Sequence, residues 1–349
     1  MNVPKLRFLN FNNDYEIKEI SDITYNVSSG KISKQLEDGE YNVYGSMGII
    51  GKSSFYDYTG EKVLVARVGA NAGSVNKINE KCCISDNTLV LEPKNILNDY
   101  LYYSLSHYDP KKLIFGSGQP LVTGGQLKKI KLGVPTKEEQ VKVSNFLSLL
   151  DKKIELQTKK IEDLKLFTKK VILDILNNEQ DVKTKTFKEV CTIQTGKSNT
   201  QDKDDNGLYP FYIRSENIER SSKYIFDCEA VITIGDGNIG KVFFYENGKF
   251  DCHQRVYVLN NFKDVTGKYL YYYFSTFFYR RAISMSAKNT VDSVRMEMIS
   301  DMIINYPNIT EQNRITTLFD KLEQKQKLEK EKLNTFQNLK KGLMQSMFV

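Results

Sequence analysis

Pro135-Thr-Lys-Glu-Glu139-Gln140 opens a run reaching Ile175 in which apolar side chains recur at alternating three- and four-residue steps. The positions are Leu147, Leu150, Ile154, Gln157, Ile161, Leu164, Thr168, Val171 and Ile175. Seven of the nine are apolar, which predicts one long helix with a seam one partner helix wide. Thr136, followed three residues later by Glu139, predicts a reciprocal capping box at its start. The run then recurs 172 positions further on. Pro307, Glu311 and Gln312 repeat Pro135, Glu139 and Gln140, and Asn308 takes the cap position of Thr136. The seam returns as Phe319, Leu322, Gln326, Glu329, Leu333, Phe336, Lys340, Leu343 and Met347, with polar breaks that coincide at Gln157/Glu329 and Thr168/Lys340. A one-off helix would not reproduce cap, phase and interruptions, so the chain reads as a tandem duplication.

The segments before each helix repeat as well. Asn42-Val-Tyr-Gly-Ser, Lys62 to Arg67 and Thr88 to Glu92 are β-prone runs bounded by Gly, Asn and Asp turns, and Asp99 to Leu105 reads as a helix with an aromatic face. A glycine-rich loop, Gly116 to Gly125, precedes a last strand ending at Pro135. Polar residues Asn177 to Thr184 read as a linker. Beyond it Gly30-Lys31 is answered by Gly196-Lys197, Leu64 to Val75 by Val231 to Val242, and Tyr100-Leu-Tyr-Tyr by Tyr269-Leu-Tyr-Tyr. Four segments result: 1–134, 135–178, 179–306 and 307–349. The loop residues differ between copies, as in Ser117-Gly-Gln-Pro against Ala287-Lys-Asn-Thr, so two sites of one kind are expected to read different things.

Composition narrows the function. The chain has 349 residues, 40% hydrophobic and 27% charged, enough for two or three domains. It shows no apolar run of membrane-spanning length and no signal-peptide start, so a cytoplasmic location is expected. Cys82, Cys83, Cys191, Cys228 and Cys252 include no CxxC and read as reduced thiols. With only His107 and His253 beside them, neither a metal site nor a histidine triad is expected. A net charge of +7 and pI near 8.8 favour a polyanionic partner.

A seam helix cannot stay exposed, and its natural partner is its own copy. Each helix of about 40 residues is roughly 60 Å long. Paired antiparallel, the two would hold the globular units at opposite ends under a pseudo-twofold axis. The expected fold class is therefore α+β: two β-rich domains separated by two long helices that form an antiparallel coiled coil. Two such heads match half-sites on a duplex about one turn, roughly 34 Å, apart or a little more.

The doubled Pro-x3-Glu-Gln helix start, each copy preceded by a β-rich domain, a loop and a strand, resembles the specificity (S) subunit of type I restriction-modification systems over nearly the whole chain. The resemblance implies a protein without a catalytic centre whose two target-recognition domains bind a bipartite, asymmetric DNA sequence. It implies two methyltransferase (M) subunits held by the helices and restriction (R) subunits joining to cut. S-adenosylmethionine, ATP and Mg are then expected on those partners, with no cofactor bound by this chain.

On this basis the loops Gly118-Gln119-Pro120 to Thr123, and Lys288-Asn289 to Ser293-Val-Arg295, are expected against DNA. Lys31, Arg67, Asn71, Ser74 and Asn87 in the first half, and Arg214, Asn217, Asn238, Lys241 and Arg255 in the second, are further candidates of the types that contact phosphates and base edges. Each has a plainer alternative as a solvated or structural residue, and Asn71 and Asn238 fit left-handed turns. The seam residues carrying the pairing are Leu147, Leu150, Ile154, Ile161, Leu164, Val171, Phe319, Leu322, Leu333, Phe336 and Leu343. Gly235-Asp-Gly237-Asn-Ile-Gly240 matches the dinucleotide fingerprint in letters, but Lys241-Val-Phe-Phe-Tyr behind it reads as strand, where the fingerprint requires a helix. Gly51-Lys-Ser53 and Gly196-Lys-Ser198 lack the upstream glycine of a P-loop. Tyr269 to Phe274 reads as core at helical spacing. The competing functions are a nuclease or methyltransferase acting alone, for which no catalytic motif is found, and a structural coiled-coil scaffold for protein contacts.

Overall fold

The computed structural model describes residues 2–32, 39–114, 118–285 and 293–349. They form two compact units, Met1–Thr158 with Glu331–Val349, and Lys159–Lys330. The first contains β1 (Glu16–Glu19), α1 (Ile20–Ile23), β2 (Thr24–Ser29), β3 (Tyr41–Gly45), β4 (Gly48–Ser53), β5 (Glu61–Ala66), β6 (Val75–Asn79), β7 (Cys82–Ile84), β8 (Thr88–Pro93), α2 (Asn98–Tyr108), α3 (Gly124–Lys128) and β9 (Lys131–Val134), followed by the start of α4 (Lys137–Asn178). The second repeats the order: β10 (Lys183–Thr186), α5 (Phe187–Val190), β11 (Thr192–Thr195), β12 (Tyr209–Tyr212), β13 (Ile218–Ser221), β14 (Phe226–Ile234), β15 (Phe243–Cys252), β16 (Val256–Asn260), α6 (Gly267–Ser284), α7 (Met296–Ser300), β17 (Ile303–Tyr306) and the start of α8 (Ile309–Met347).

The second unit has one sheet of order β11-β16-β14-β15-β12-β13. The first has the same order in two pieces, β2-β8-β5-β6 and β7-β3-β4. The break falls where Gly60 takes φ +73° between the isolated Tyr58–Cys82 pairing and β5, whereas β14 runs unbroken through the equivalent positions. The apolar run of β5 follows from coverage on both faces. Val63 and Val65 enter the core under α2, and Leu64 between them enters a second core with Tyr44 and Ile84. Strand β14 does the same, with Val231 on one side and Ile232 on the other.

The nine seam positions of α4 from Leu147 to Ile175, and the nine of α8 from Phe319 to Met347, are all buried or half-buried, and most positions between them are exposed. In the first unit Leu147 packs in one core with Leu343, Met347 and Phe348, and Lys340 pairs with Asp151. In the second, Leu176 packs with Ile315 and Phe319, and Lys160 pairs with Glu329 at 3.0 Å. In each unit the two helices therefore run antiparallel, α4 entering where α8 ends and leaving where α8 begins.

The glutamine of the Pro-x3-Glu-Gln start fixes both long helices. Buried Gln140 donates to Pro135 O (2.9 Å) and accepts from Leu97 N–H (2.9 Å), the residue capping α2. Gln312 donates to Pro307 O (2.9 Å) and accepts from Thr266 N–H (2.8 Å), the cap of α6. Each long helix is thus stapled to the aromatic helix of its own unit.

Three local expectations need correction. The capping box of α4 is only half formed: Thr136 Oγ1 accepts from Glu139 N–H at 3.5 Å, but the Glu139 carboxylate turns inward, taking Arg7 Nη2 at 2.7 Å and the Tyr15 hydroxyl at 3.0 Å. That buried pair anchors the irregular segment that precedes β1; burial and the adjacent Glu139 carboxylate push the Tyr15 phenol well above its ordinary value. The linker is shorter than Asn177 to Thr184, because Asn177 and Asn178 finish α4 and Lys183 and Thr184 pair with Tyr306 and Asn305 in a two-stranded sheet. Gly124 and Gly125 are not loop but the first turn of α3, where Thr123 and Gln126 form the capping box.

All five cysteines are free, four of them buried, and no helix among the described residues is long and apolar enough to cross a membrane. Tyr269, Leu270, Tyr272, Tyr273 and Phe274 lie in the core of the second unit that also holds Val231.

Candidate nucleic-acid interface

Each unit builds one loop frame from main-chain atoms. In the second, Gly235 N–H donates to Arg255 O (2.8 Å) and Gly235 O accepts from Val294 N–H (2.7 Å). A Cβ on Gly235 would stand 2.6 Å from Arg255 O, so the close approach excludes a side chain. Asp236 bridges to Ser293, and the chain then turns through left-handed Gly237 and Gly240 into β15. No helix follows these glycines, which removes the phosphate-binding geometry of a dinucleotide fold.

The first unit repeats the frame bond for bond. Arg67 N–H donates to Asn87 O (2.9 Å), Arg67 O accepts from Val122 N–H (2.8 Å), Val68 bridges to Leu121, and the chain turns through left-handed Gly69 and Gly73 into β6. In both turns a tight bond closes the end, Ser74 N–H to Asn71 O at 2.9 Å and Lys241 N–H to Asn238 O at 3.3 Å. The left-handed residues are the glycines and not Asn71 or Asn238, whose side chains are therefore not required by the turn.

The side chains on the two frames differ. In the second unit Asp236 Oδ2 accepts from Arg255 Nη1 (3.1 Å) and Arg214 Nη1 (3.3 Å), gathering two guanidinium groups beside Ser293. His253 Nδ1 accepts from Arg255 N–H at 3.1 Å, and burial together with the cationic Arg214 and Arg255 lowers its pKa. In the first unit a polar cleft lined by Ser46 and Met47 at the β3–β4 tip, with Asn71, Ser74 and Thr88, opens beside the turn.

Arg67, Asn71, Ser74 and Asn87 come together on the first frame, and Gln119, exposed, adjoins Pro120, whose carbonyl holds Gly69 N–H at 3.1 Å. Thr123 is engaged as the cap of α3, and Lys31 lies over the Tyr58 ring at 5.3 Å. Arg214, Asn238, Lys241, Arg255 and Ser293 come together on the second frame. Arg295 is exposed at the cap of α7, and Asn217 sits in a separate turn closed on Ser215. Lys288 and Asn289 lie outside the described residues. Asp236, which organises the arginines, was not anticipated; its link to Arg214 spans 22 residues and to Arg255 spans 19, beyond any local pattern.

A family model described as the type I restriction modification DNA specificity domain matches residues 12–166 and again 179–338. A Mycoplasma pneumoniae chain described as a type I specificity subunit is 31% identical over 145 residues, 40% of this chain and 47% of that relative, so this chain spans about half the length of that relative. A Haemophilus influenzae chain described as a type I restriction enzyme specificity subunit is 24% identical over 337 residues, 88% of this chain and 86% of that one. Among solved structures, the S subunit of a type I restriction-modification system from M. genitalium shares the fold with a TM-score of 0.68 at 16% identity, covering 99% of both chains. The duplicated match, falling on the two units whose loop frames repeat bond for bond, places this chain in the type I restriction-modification DNA specificity family.

Proposed function

We propose that this chain is the DNA sequence-specificity subunit of a type I restriction-modification complex. Its segments 1–134 and 179–306 act as target-recognition domains, each reading one half of a bipartite, asymmetric duplex site. The long helices set the spacing of the two halves and dock two methyltransferase subunits, and restriction subunits join to cut. The chain itself does no chemistry: S-adenosylmethionine, ATP and Mg act on the partner subunits, in the cytoplasm. The observation that carries this reading is the loop frame built twice from the same main-chain bonds but furnished with different side chains. One frame presents Arg67, Asn87 and the Asn71 turn, the other a guanidinium pair held by Asp236, so two readers of one design would select different bases.

The test is selection from a random duplex pool by this chain assembled with a methyltransferase subunit. One asymmetric sequence in two blocks separated by an unread spacer is expected. Exchanging residues 15–134 for another recognition domain should alter one block alone. Methylation or cleavage by the purified chain without partners, or a change in both blocks on exchange, would overturn the proposal.

A further inference from the structure

The second unit holds a groove that neither the sequence motifs nor the loop frame accounts for. It runs between α4, α6 and the turn at Gly240. Lys165 and Lys169 project into it one helical turn apart on α4, Arg280 faces them from α6, and Lys241 enters from the turn. All four side chains are exposed, and among the described residues none of them has a carboxylate partner and no Asp or Glu lines the groove. The remaining polar lining, Thr168, Ser275, Thr276 and Gln326, supplies neutral hydrogen-bonding groups.

The first unit has a groove at the equivalent place. Ser106 and His107 stand where Ser275 and Thr276 stand, and Gln337, Lys340 and Lys341 where Lys165, Thr168 and Lys169 stand. Charge is present but weaker, because Lys340 is paired with Asp151 and Asp109 joins the lining, leaving Lys112 and Lys341. A groove that returns in both copies with a cationic wall is a feature of the repeat and not an accident of one surface.

We propose that these grooves seat the sugar-phosphate backbone of the bound duplex, with the second unit carrying the larger share. This rests on the DNA-reading function proposed above. Gly240 and Lys241 belong at once to the groove and to the turn that carries Asn238, so a phosphate held there fixes the register of the reading loop. In the first unit the same turn packs on the 3-10 turn Pro110–Leu113 that follows α2, where a Cβ on Gly73 would stand 2.6 Å from Lys111 N.

The experiment uses the full chain assembled with methyltransferase subunits, carrying Lys165→Gln, Lys169→Gln and Arg280→Gln together. Affinity for the selected duplex is followed between about 50 and 200 mM salt, where each lost phosphate contact lowers the slope of log K on log salt by about 0.9. The slope should fall by about 2–3, with the selected sequence unchanged, and the charge-keeping variant Lys165→Arg, Lys169→Arg, Arg280→Lys should retain it. An unchanged slope overturns the proposal. So does a loss that lies in methyltransferase assembly, seen by sedimentation, because the groove would then be a protein-docking surface. A wild-type complex that binds no duplex selectively sinks the functional reading together with this one, whereas selective binding with an unaltered slope sinks the groove alone.

Discussion

Gln312 holds Thr266: the glutamine Oε1 on the first turn of α8 accepts the backbone N–H of the residue that caps α6 at 2.8 Å, across 46 positions of sequence. Its amide simultaneously covers the carbonyls of Pro307 and Asp264, each at 2.9 Å. Gln312→Ala would leave buried groups without partners at about 1–3 kcal/mol each, and should lower the stability of the second unit by about 3 kcal/mol. Gln140→Ala should act likewise on the first. Urea unfolding resolved by hydrogen exchange checks both, and each loss should be confined to the unit that carries the substitution.

Phe348 contributes to a core assembled from the other end of the chain. Its ring lies 5.4 Å from Tyr100 and 5.6 Å from His107, and it is 7% exposed. Phe348→Ala should destabilise the first unit by about 3–5 kcal/mol, although more than two hundred residues separate it from the strands. Peptides from β5 and α2 should lose exchange protection, and those from β14 and α6 should keep it.

Both histidines have lowered pKa values, His107 through burial and Lys112, His253 through burial and the nearby Arg214 and Arg255, offset in part by Asp236. A depressed histidine favours the neutral form in the folded state, so its contribution is complete above the unfolded value of about 6.5 and is lost as pH falls through that value toward the folded one. Protonation would also remove the acceptor that His253 Nδ1 offers Arg255 N–H. Thermal melting should therefore shift down between about pH 7 and pH 5.5, and a His107→Gln, His253→Gln double variant should show a flatter dependence over that range.

Asp236 restrains two guanidinium groups with one carboxylate oxygen. Asp236→Asn keeps the volume and removes the charge, so Arg214 and Arg255 become free to meet phosphates indiscriminately. Non-specific DNA binding should strengthen and become steeper in salt by about one to two contacts, with base choice relaxed in the half of the site read by the second unit. Selection with the variant complex measures this directly, and relaxation in the other half would contradict the assignment of that reader.

The long helices were legible because a seam at three- and four-residue steps, stated twice with the same polar breaks, leaves little freedom. The work of Gln140 was not legible, since its acceptor role is defined by Leu97 N–H, 43 residues away. The first turn of α3 was written in Thr123 and Gln126 but obscured by Gly124 and Gly125, which read as loop until the cap is seen to hold them. Repeated letters suggested that Arg67 answers Ile234; the main-chain bonds set it against Gly235, because small loop differences shift the register between copies. Asp236 and the groove around Lys165 arise only when distant segments meet, which no local pattern records.

The bonds of the doubled loop frame join peptide groups, so apart from the glycines that the close approach and the left-handed turns require, the frame does not dictate the side chain above it. Substitutions at Arg67, Asn87, Arg214 or Arg255 can therefore drift with little penalty to folding, and under the proposed reading each would change what the chain selects. A chain built this way can acquire a new target by exchanging a few letters at the rim, and the two halves are free to diverge independently of each other.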